Sequence, residues 1–214
     1  MNKVIFSKKH QTFISGYDGK NYKIWNTTEG EVAKIRTAIR NHYKIEQNYM
    51  CCYCRQQTIQ DHGLVWDCEH ILPKAIYPLF LFEPLNLALS CKACNLAKEA
   101  YKNEIIKIDP KTYSTNSSDY QIIHPHFDRY DEHLLVKCLE GTTVYEIVNS
   151  SSKGSFTYKC CGFDRYDKKL AGYNNVSQDV AQTVSDLLSR GYSDSEIVQG
   201  LLTKIIPIQQ KVNF

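Results

Sequence analysis

The first 49 residues place short apolar runs ahead of one long helical pattern. Three runs have the composition of strands and are separated by Gly16 and by Asp18-Gly19, at residues 4–6, 13–14 and 22–25. The sequence Thr28-Glu29-Gly30-Glu31 then has the form of a capping box. Apolar side chains follow at spacings of three and four residues: Val32, Ile35, Ile39 and Tyr43. The pattern predicts an N-terminal hairpin and then a helix that runs to about residue 46.

Residues 113–214 carry a mixed strand and helix pattern. Residues 133–140 and 142–148 indicate two strands that turn at Gly141, whereas residues 113–120 and 150–155 indicate polar loops. Apolar positions at helical spacing follow Ser177 as far as Gly191, and a second such pattern begins at Ser193. We therefore expect two antiparallel helices here. Their apolar faces pack on their own domain or, alternatively, form a homodimer or partner-protein surface.

Composition and charge are those of a globular protein and leave the partner open. Hydrophobic residues make up 43% and charged residues 23% of the chain, so we expect a folded protein. The net charge of +3 allows an anionic partner such as nucleic acid but does not require one. No apolar run approaches the ~20 residues that cross a membrane, and the first residues lack a secretory signal. We expect a soluble, cytoplasmic protein with no membrane contact.

Two Cys-x-x-Cys pairs predict a structural zinc site. Cys51 with Cys54, and Cys91 with Cys94, supply the four thiolates of a closed tetrahedral site. The alternatives are a redox dithiol or unrelated buried thiols, but a redox motif needs only one pair. Cys52 could compete with Cys51 as a ligand, although its spacing to Cys54 is poorer. The other four cysteines are expected to be buried thiols rather than ligands: Cys68, Cys138, Cys160 and Cys161.

Three segments around these cysteines carry a more specific signature. They are residues 67–74 (DCEHILPK), 84–90 (PLNLALS) and 91–98 (CKACNLAK). In this order they resemble the HNH endonuclease family, the ββα-metal nucleases, in its zinc-bearing form with four cysteines. The resemblance covers residues 51–101, about a quarter of the chain. The last position of the motif holds Asn95 rather than His, which bears on the choice of metal.

The resemblance implies an α+β fold built on a ββα-metal HNH core that the zinc site braces. We expect this core at residues 50–112. An N-terminal extension at residues 1–49 would contain the hairpin and helix, and a C-terminal α+β extension at residues 113–214 would end in the two helices.

The same resemblance assigns roles to individual side chains. His70 has a side chain whose ordinary pKa suits a general base, and Asn86 would hold its ring by a hydrogen bond. Glu69 and Asn95 offer the oxygen ligands that Mg²⁺ or another catalytic divalent cation prefers. Three lysines would meet the phosphates of the nucleic acid: Lys74, Lys98 and Lys102. Because neighbours on a regular strand point to opposite faces, we expect a bend or bulge at Glu69-His70.

The resemblance implies an enzyme that cuts DNA, in restriction or anti-phage defence, together with a partner such as an ATPase of a defence system. Two alternatives stay open: a zinc-braced module that binds nucleic acid without cutting it, and a nuclease that acts on RNA. A second polar cluster contains His124, His126 and His133, which could bind a metal, line the DNA groove or make local turn hydrogen bonds; the last interpretation is favoured, and the sequence does not decide among them. The sequence assigns no role to the pentapeptide Phe-Asp-Arg-Tyr-Asp, which occurs at residues 127–131 and 163–167.

Overall fold

The structure is a computed structural model that describes residues 1–59, 65–139 and 142–166, with Gly191, Ser193 and Ser195. Contacts along the chain define one compact unit of Met1–Lys137 with Thr143–Asp167, and a second of Cys138–Thr142 with Lys168–Phe214. Nearly all of the second unit lies outside the described residues, and so do the two helices predicted after Ser177 and Ser193. Among the described helices, none has the length and apolarity needed to cross a membrane.

The N-terminal segment forms helical turns, so the predicted hairpin is wrong. Helix α1 spans Lys8–Ser15, and the side chain of Ser7 caps it by accepting a hydrogen bond from His10 N. A 3-10 turn follows at Tyr22–Asn26. The carboxylate of Asp18 accepts from Lys20 N and Asn21 N, which forms an Asx turn between α1 and this 3-10 turn.

Helix α2 spans Gly30–Glu46, and the predicted helix to about residue 46 is therefore confirmed. The apolar positions at helical spacing are its buried face, which packs on both strands of the first sheet. The capping box does not form, because Glu29 holds the N-cap position and makes no side-chain cap. At the other end, the amide of Gln47 donates to Leu89 O and accepts from Leu89 N, both at 2.8 Å, and so ties the helix to the sheet.

Strands β1 (Trp66–His70) and β2 (Leu87–Cys91) pair antiparallel, and helix α3 (Lys92–Lys98) follows and packs against both. The register runs one residue to one, with Glu69 opposite Ala88 and His70 opposite Leu87. The bulge that we predicted at Glu69-His70 is therefore absent. Both residues nonetheless line one cavity, since β1 ends at His70 and the chain leaves the sheet there.

Strands β3 (Leu134–Leu139) and β4 (Thr142–Ile147) form a second two-stranded sheet, as predicted. The polar loop predicted at residues 150–155 is wrong, because helix α4 (Ser152–Cys160) begins there. Ser151 caps this helix, and Gly154 lies so close to His133 O that a Cβ at this position would clash. The described residues thus have an α+β fold, which confirms the predicted class.

Candidate functional site

The four predicted zinc ligands lie together. The sulfur atoms of Cys51, Cys54, Cys91 and Cys94 are all within 4.8 Å of one another, and those of Cys54 and Cys91 are 3.9 Å apart. Zinc bonds of ~2.3 Å to a tetrahedron of thiolates give sulfur–sulfur edges of about 3.8 Å. The donor set and its spacing therefore fit a zinc ion.

Backbone hydrogen bonds fix the first cysteine pair against strand β2. Cys52 N donates to Leu89 O at 3.0 Å, and Cys91 N donates to Cys51 Sγ at 3.3 Å. Burial raises the pKa of Cys51, whereas hydrogen bonds from Cys161 and from cluster cysteines lower the pKa of Cys94 to about 4. A zinc ion takes its cysteine ligands as thiolates, so the Cys94 sulfur is already close to its ligating form.

Glu69 is held by a buried ion pair and by a tyrosine of the zinc-site turn. Its Oε1 atom accepts from Lys98 Nζ at 2.6 Å and from Tyr53 Oη at 2.9 Å. The side chains of Glu69 and Lys98 are only 2% and 5% exposed. Sequence reasoning missed Tyr53, although its position inside the first Cys-x-x-Cys pair indicated that it would face the cluster or the adjoining strand.

The predicted base, His70, is buried, and its tautomer is fixed. Its Nε2 atom lies 3.0 Å from Leu81 O, and its ring lies edge-on to Trp25 with the ring centroids 4.3 Å apart. A carbonyl oxygen only accepts, so Nε2 carries the proton and Nδ1 keeps a lone pair. Burial, together with the positive charge of Lys74 and Lys98, lowers the pKa of His70 to about 3, which keeps the ring neutral but corrects the expectation that this base has a pKa near neutrality.

Asn86 does not bond to the His70 ring, which corrects its predicted role. Its side chain accepts from Leu72 N at 2.7 Å and donates to Leu72 O at 3.1 Å and Phe80 O at 3.0 Å. These bonds hold both ends of the loop after β1. Leu81, whose carbonyl orients His70, lies next to Phe80 in this loop. Asn86 therefore acts on His70 through the backbone.

Asn95 is oriented by Asp67, a residue that sequence reasoning did not assign. Asn95 Nδ2 donates to Asp67 Oδ2 at 2.8 Å, and Asp67 Oδ1 pairs with Lys92 Nζ at 2.9 Å. Asp67 and Glu69 are two residues apart on β1 and share the face that α3 covers. This alternation of carboxylates was the signal available in the sequence.

A cavity of about 220 Å³ brings the predicted side chains together. Glu69 and His70 line it from the end of β1, and Asn95 lines it from α3. Its lining also includes all three predicted phosphate-binding lysines and two residues of the N-terminal 3-10 turn: Lys74, Lys98, Lys102, Tyr22 and Asn26. Lys98 is buried rather than facing solvent, because it bonds to Glu69 and, at 3.0 Å, to His70 O.

The histidines of residues 124–133 form a hydrogen-bonded network. His124 Nε2 lies 2.9 Å from Tyr113 Oη, His126 Nε2 lies 2.8 Å from Leu87 O, and His133 Nδ1 lies 2.7 Å from Ser151 Oγ. Over the described ranges, the four cysteines are the one group of three or more His, Cys, Asp and Glu side chains whose ligand atoms lie close enough to hold a metal ion. The three histidines instead bond to groups of the protein itself.

No family model matches the chain. Over 111 residues it is 27% identical to Septu protein PtuB of Bacillus thuringiensis, a match that covers 52% of this chain and 40% of that protein. Over 69 residues it is 33% identical to Protein ea31 of Escherichia phage lambda, a match that covers 32% of this chain and 20% of that protein. The chain spans less than half the length of either relative.

Proposed function

We propose that this protein is a metal-dependent HNH endonuclease that hydrolyses DNA phosphodiester bonds. The observation that carries the proposal is one cavity that the side chains of His70, Glu69 and Asn95 all line. Three lysines line the same cavity: Lys74, Lys98 and Lys102. The elements that position these groups follow the order of a ββα-metal core: His70 ends the first strand, Asn86 precedes the second, and Asn95 lies on the helix that follows.

Two oxygen atoms fit a catalytic divalent cation. The hydrogen bonds of Glu69 fall on Oε1, which leaves Oε2 for a metal. The side-chain nitrogen of Asn95 donates a hydrogen bond to Asp67, which leaves Oδ1 of Asn95 to ligate the metal. One carboxylate and one amide suit Mg²⁺, whose other positions go to water and substrate phosphate. Such an ion would stabilise the charge that develops on the phosphoryl and leaving oxygens.

The residues of this chain supply the remaining chemistry. His70 Nδ1 accepts a proton from the attacking water, and the bond from Nε2 to Leu81 O keeps the ring in the required tautomer. Lys74 and Lys102, which line the cavity, meet the phosphates of the substrate. Lys98 acts from inside, where it holds Glu69 and the backbone of His70 together.

We further propose that the protein serves anti-phage defence with a partner protein. The partial likeness to Septu protein PtuB supports this role. A defence-system ATPase is the partner that we propose. A homodimer is the alternative assembly, and size-exclusion chromatography with light scattering of the chain alone and with the candidate partner separates the two.

Nicking of supercoiled plasmid tests the activity. Zinc-loaded wild type should nick plasmid with Mg²⁺ and lose this activity when Mg²⁺ is omitted. His70→Ala should be about 10²–10⁴ times slower, because that is the usual contribution of a general base. His10→Ala, which changes a histidine that pairs with Glu31 outside the cavity, should match wild type.

The other outcomes identify the alternatives. A wild type that binds plasmid without nicking it, with or without the partner, would make the chain a binding module. Cleavage of single-stranded RNA in place of plasmid would make RNA the substrate. Equal rates for wild type and His70→Ala, with zinc retained in both, would remove His70 from the mechanism.

A further inference from the structure

The repeated pentapeptide Phe-Asp-Arg-Tyr-Asp has different surroundings in its two copies. In the first copy, the side chain of Arg129 is 73% exposed and pairs with Asp131 and Glu132 at the surface. In the second copy, Arg165 is half-buried against the cysteine cluster, and its Nη2 atom donates to Cys94 Sγ at 3.0 Å. The same five residues therefore serve two local structures.

The chain turns sharply to bring Arg165 to this sulfur. Helix α4 ends at Cys160, and Gly162 has φ = +62°, a left-handed conformation that glycine adopts without strain. Arg165 Nη1 donates to Cys161 O and, at 2.7 Å, to Gly162 O. The guanidinium also lies over the ring of Tyr166, 4.5 Å from its centroid. These contacts fix its direction toward Cys94.

Neighbouring residues also lie against both cysteine pairs. Cys161 is close enough to Cys94, and Tyr166 close enough to Cys54, to shift the pKa of the partner or their own. Tyr145 Oη donates to Cys54 O at 2.6 Å. Side chains between β4 and Tyr166 thus lie against both Cys-x-x-Cys pairs.

The charge of a zinc-loaded site explains why an arginine lies beside Cys94. Four thiolates and one Zn²⁺ leave a formal charge of −2 among largely buried residues. A buried charge needs a partner, and hydrogen bonds from outside the ligand shell tune how strongly a metal is held. A guanidinium keeps its charge at any ordinary pH and can hold several acceptors in one plane.

We infer that Arg165 completes the zinc site from outside the ligand set, by donating to the Cys94 thiolate and offsetting the negative charge of the tetrathiolate. The segment from Cys161 to Tyr166 is then a second layer of the metal centre, and zinc occupancy fixes it in place. This assignment does not depend on the nuclease proposal.

Zinc release from the full-length protein tests this role. The zinc-loaded protein is mixed with a chromophoric chelator, and the rate of release is followed by absorbance. Arg165→Ala should release zinc about 10–100 times faster than wild type, the usual effect of losing such an outer-shell partner. Arg129→Ala changes the equivalent arginine of the exposed copy and is the matched control, expected within about twofold of wild type. Equal rates for Arg165→Ala and wild type would overturn the inference.

Cobalt substitution provides a readout that a purely structural role does not move. Loss of an N–H donor from a thiolate changes the energy of sulfur-to-metal charge transfer. The charge-transfer bands of the Co²⁺ protein should therefore shift in Arg165→Ala and stay in place in Arg129→Ala. Arg165→Lys, which keeps the charge but not the planar donors, should fall between wild type and Arg165→Ala in both assays. Arg165→Lys also tests the role of Arg165 if Arg165→Ala does not fold. Unshifted bands in Arg165→Lys together with wild-type release would equally refute the role.

Discussion

Replacing Lys98 with methionine should destabilise the protein strongly, because it leaves Glu69 buried without its cation. The two charged groups are 2.6 Å apart and almost fully buried. At an effective dielectric constant of about 20 their attraction is about 6 kcal/mol, which offsets the cost of removing both from water. Removing one partner of such a pair costs about 3–5 kcal/mol. We expect Lys98→Met to fall in this range, since the Tyr53 hydroxyl alone cannot compensate a carboxylate.

Urea unfolding of zinc-loaded protein in buffer without added divalent cations measures this cost. Lys102→Met is the matched control, because Lys102 pairs with Glu99 at the surface with side chains 42% and 63% exposed. Such exposed pairs contribute about 0–1 kcal/mol. Glu69→Gln and the double variant Glu69→Gln/Lys98→Met complete a cycle, in which we expect a coupling energy of about 2–3 kcal/mol.

The same variant reports on the catalytic cation. If a divalent cation binds Glu69, it supplies the charge that methionine lacks, so Mg²⁺ should restore more stability to Lys98→Met than it adds to wild type. A loss below about 1 kcal/mol for Lys98→Met, no larger than for Lys102→Met, would refute the argument from buried charge.

Three further outcomes follow from single contacts. Tyr53→Phe should lower the free energy of unfolding by about 1.5–3 kcal/mol, because Glu69 loses a hydrogen bond to a charged group, while zinc content measured by atomic emission stays unchanged. A strong chelator that strips zinc should abolish cooperative unfolding in calorimetry, because structural zinc binding of this kind contributes about 10 kcal/mol or more to folding. An intact transition in the stripped protein would contradict the structural role of the cluster. Burial, with the charge of His126 and Lys153, holds the pKa of His124 well below its usual value. Its contribution to stability is therefore complete above about pH 6.5 and declines as the pH falls below that value, where the unfolded chain takes up the proton. Unfolding free energies measured from pH 7.5 to 5.5 should fall less steeply in His124→Gln than in wild type.

The sequence predicted those features that a local pattern encodes. Helix α2 follows from apolar spacing, and the cysteine cluster follows from two Cys-x-x-Cys pairs. The hairpin prediction failed because short apolar runs alone do not separate a strand from a helical turn, and residues 8–15 and 22–26 form helical turns. Helix α4 was missed because its cap, Ser151, lies in a serine-rich stretch that has the composition of a loop.

In the candidate site, too, local sequence patterns predicted less than the structure shows. Strand β1 and helix α3 carry Glu69 and Asn95 to one cavity, as the resemblance led us to expect. The partners that orient these residues are distant in sequence. Tyr53 lies 16 residues before Glu69, and Asp67 lies 28 residues before Asn95. Nothing in the periodicity of the chain reports a hydrogen bond across such a separation, so these contacts became visible only in the folded structure.

The zinc cluster and the cavity are joined by one buried polar network. Tyr53, held between two zinc-site cysteines, donates to Glu69, and Lys98 then links Glu69 to the backbone of His70. Each group in this chain is buried, so misplacing one leaves another without a partner, at a cost of about 1–3 kcal/mol for a neutral group and more for a charged one. The position of the proposed base therefore depends on the metal centre in two ways. The backbone turns that carry the cysteines link the two sites, and so do the hydrogen bonds of three side chains. Zinc in this protein would set the position of Glu69, the proposed catalytic carboxylate, as well as hold the fold together.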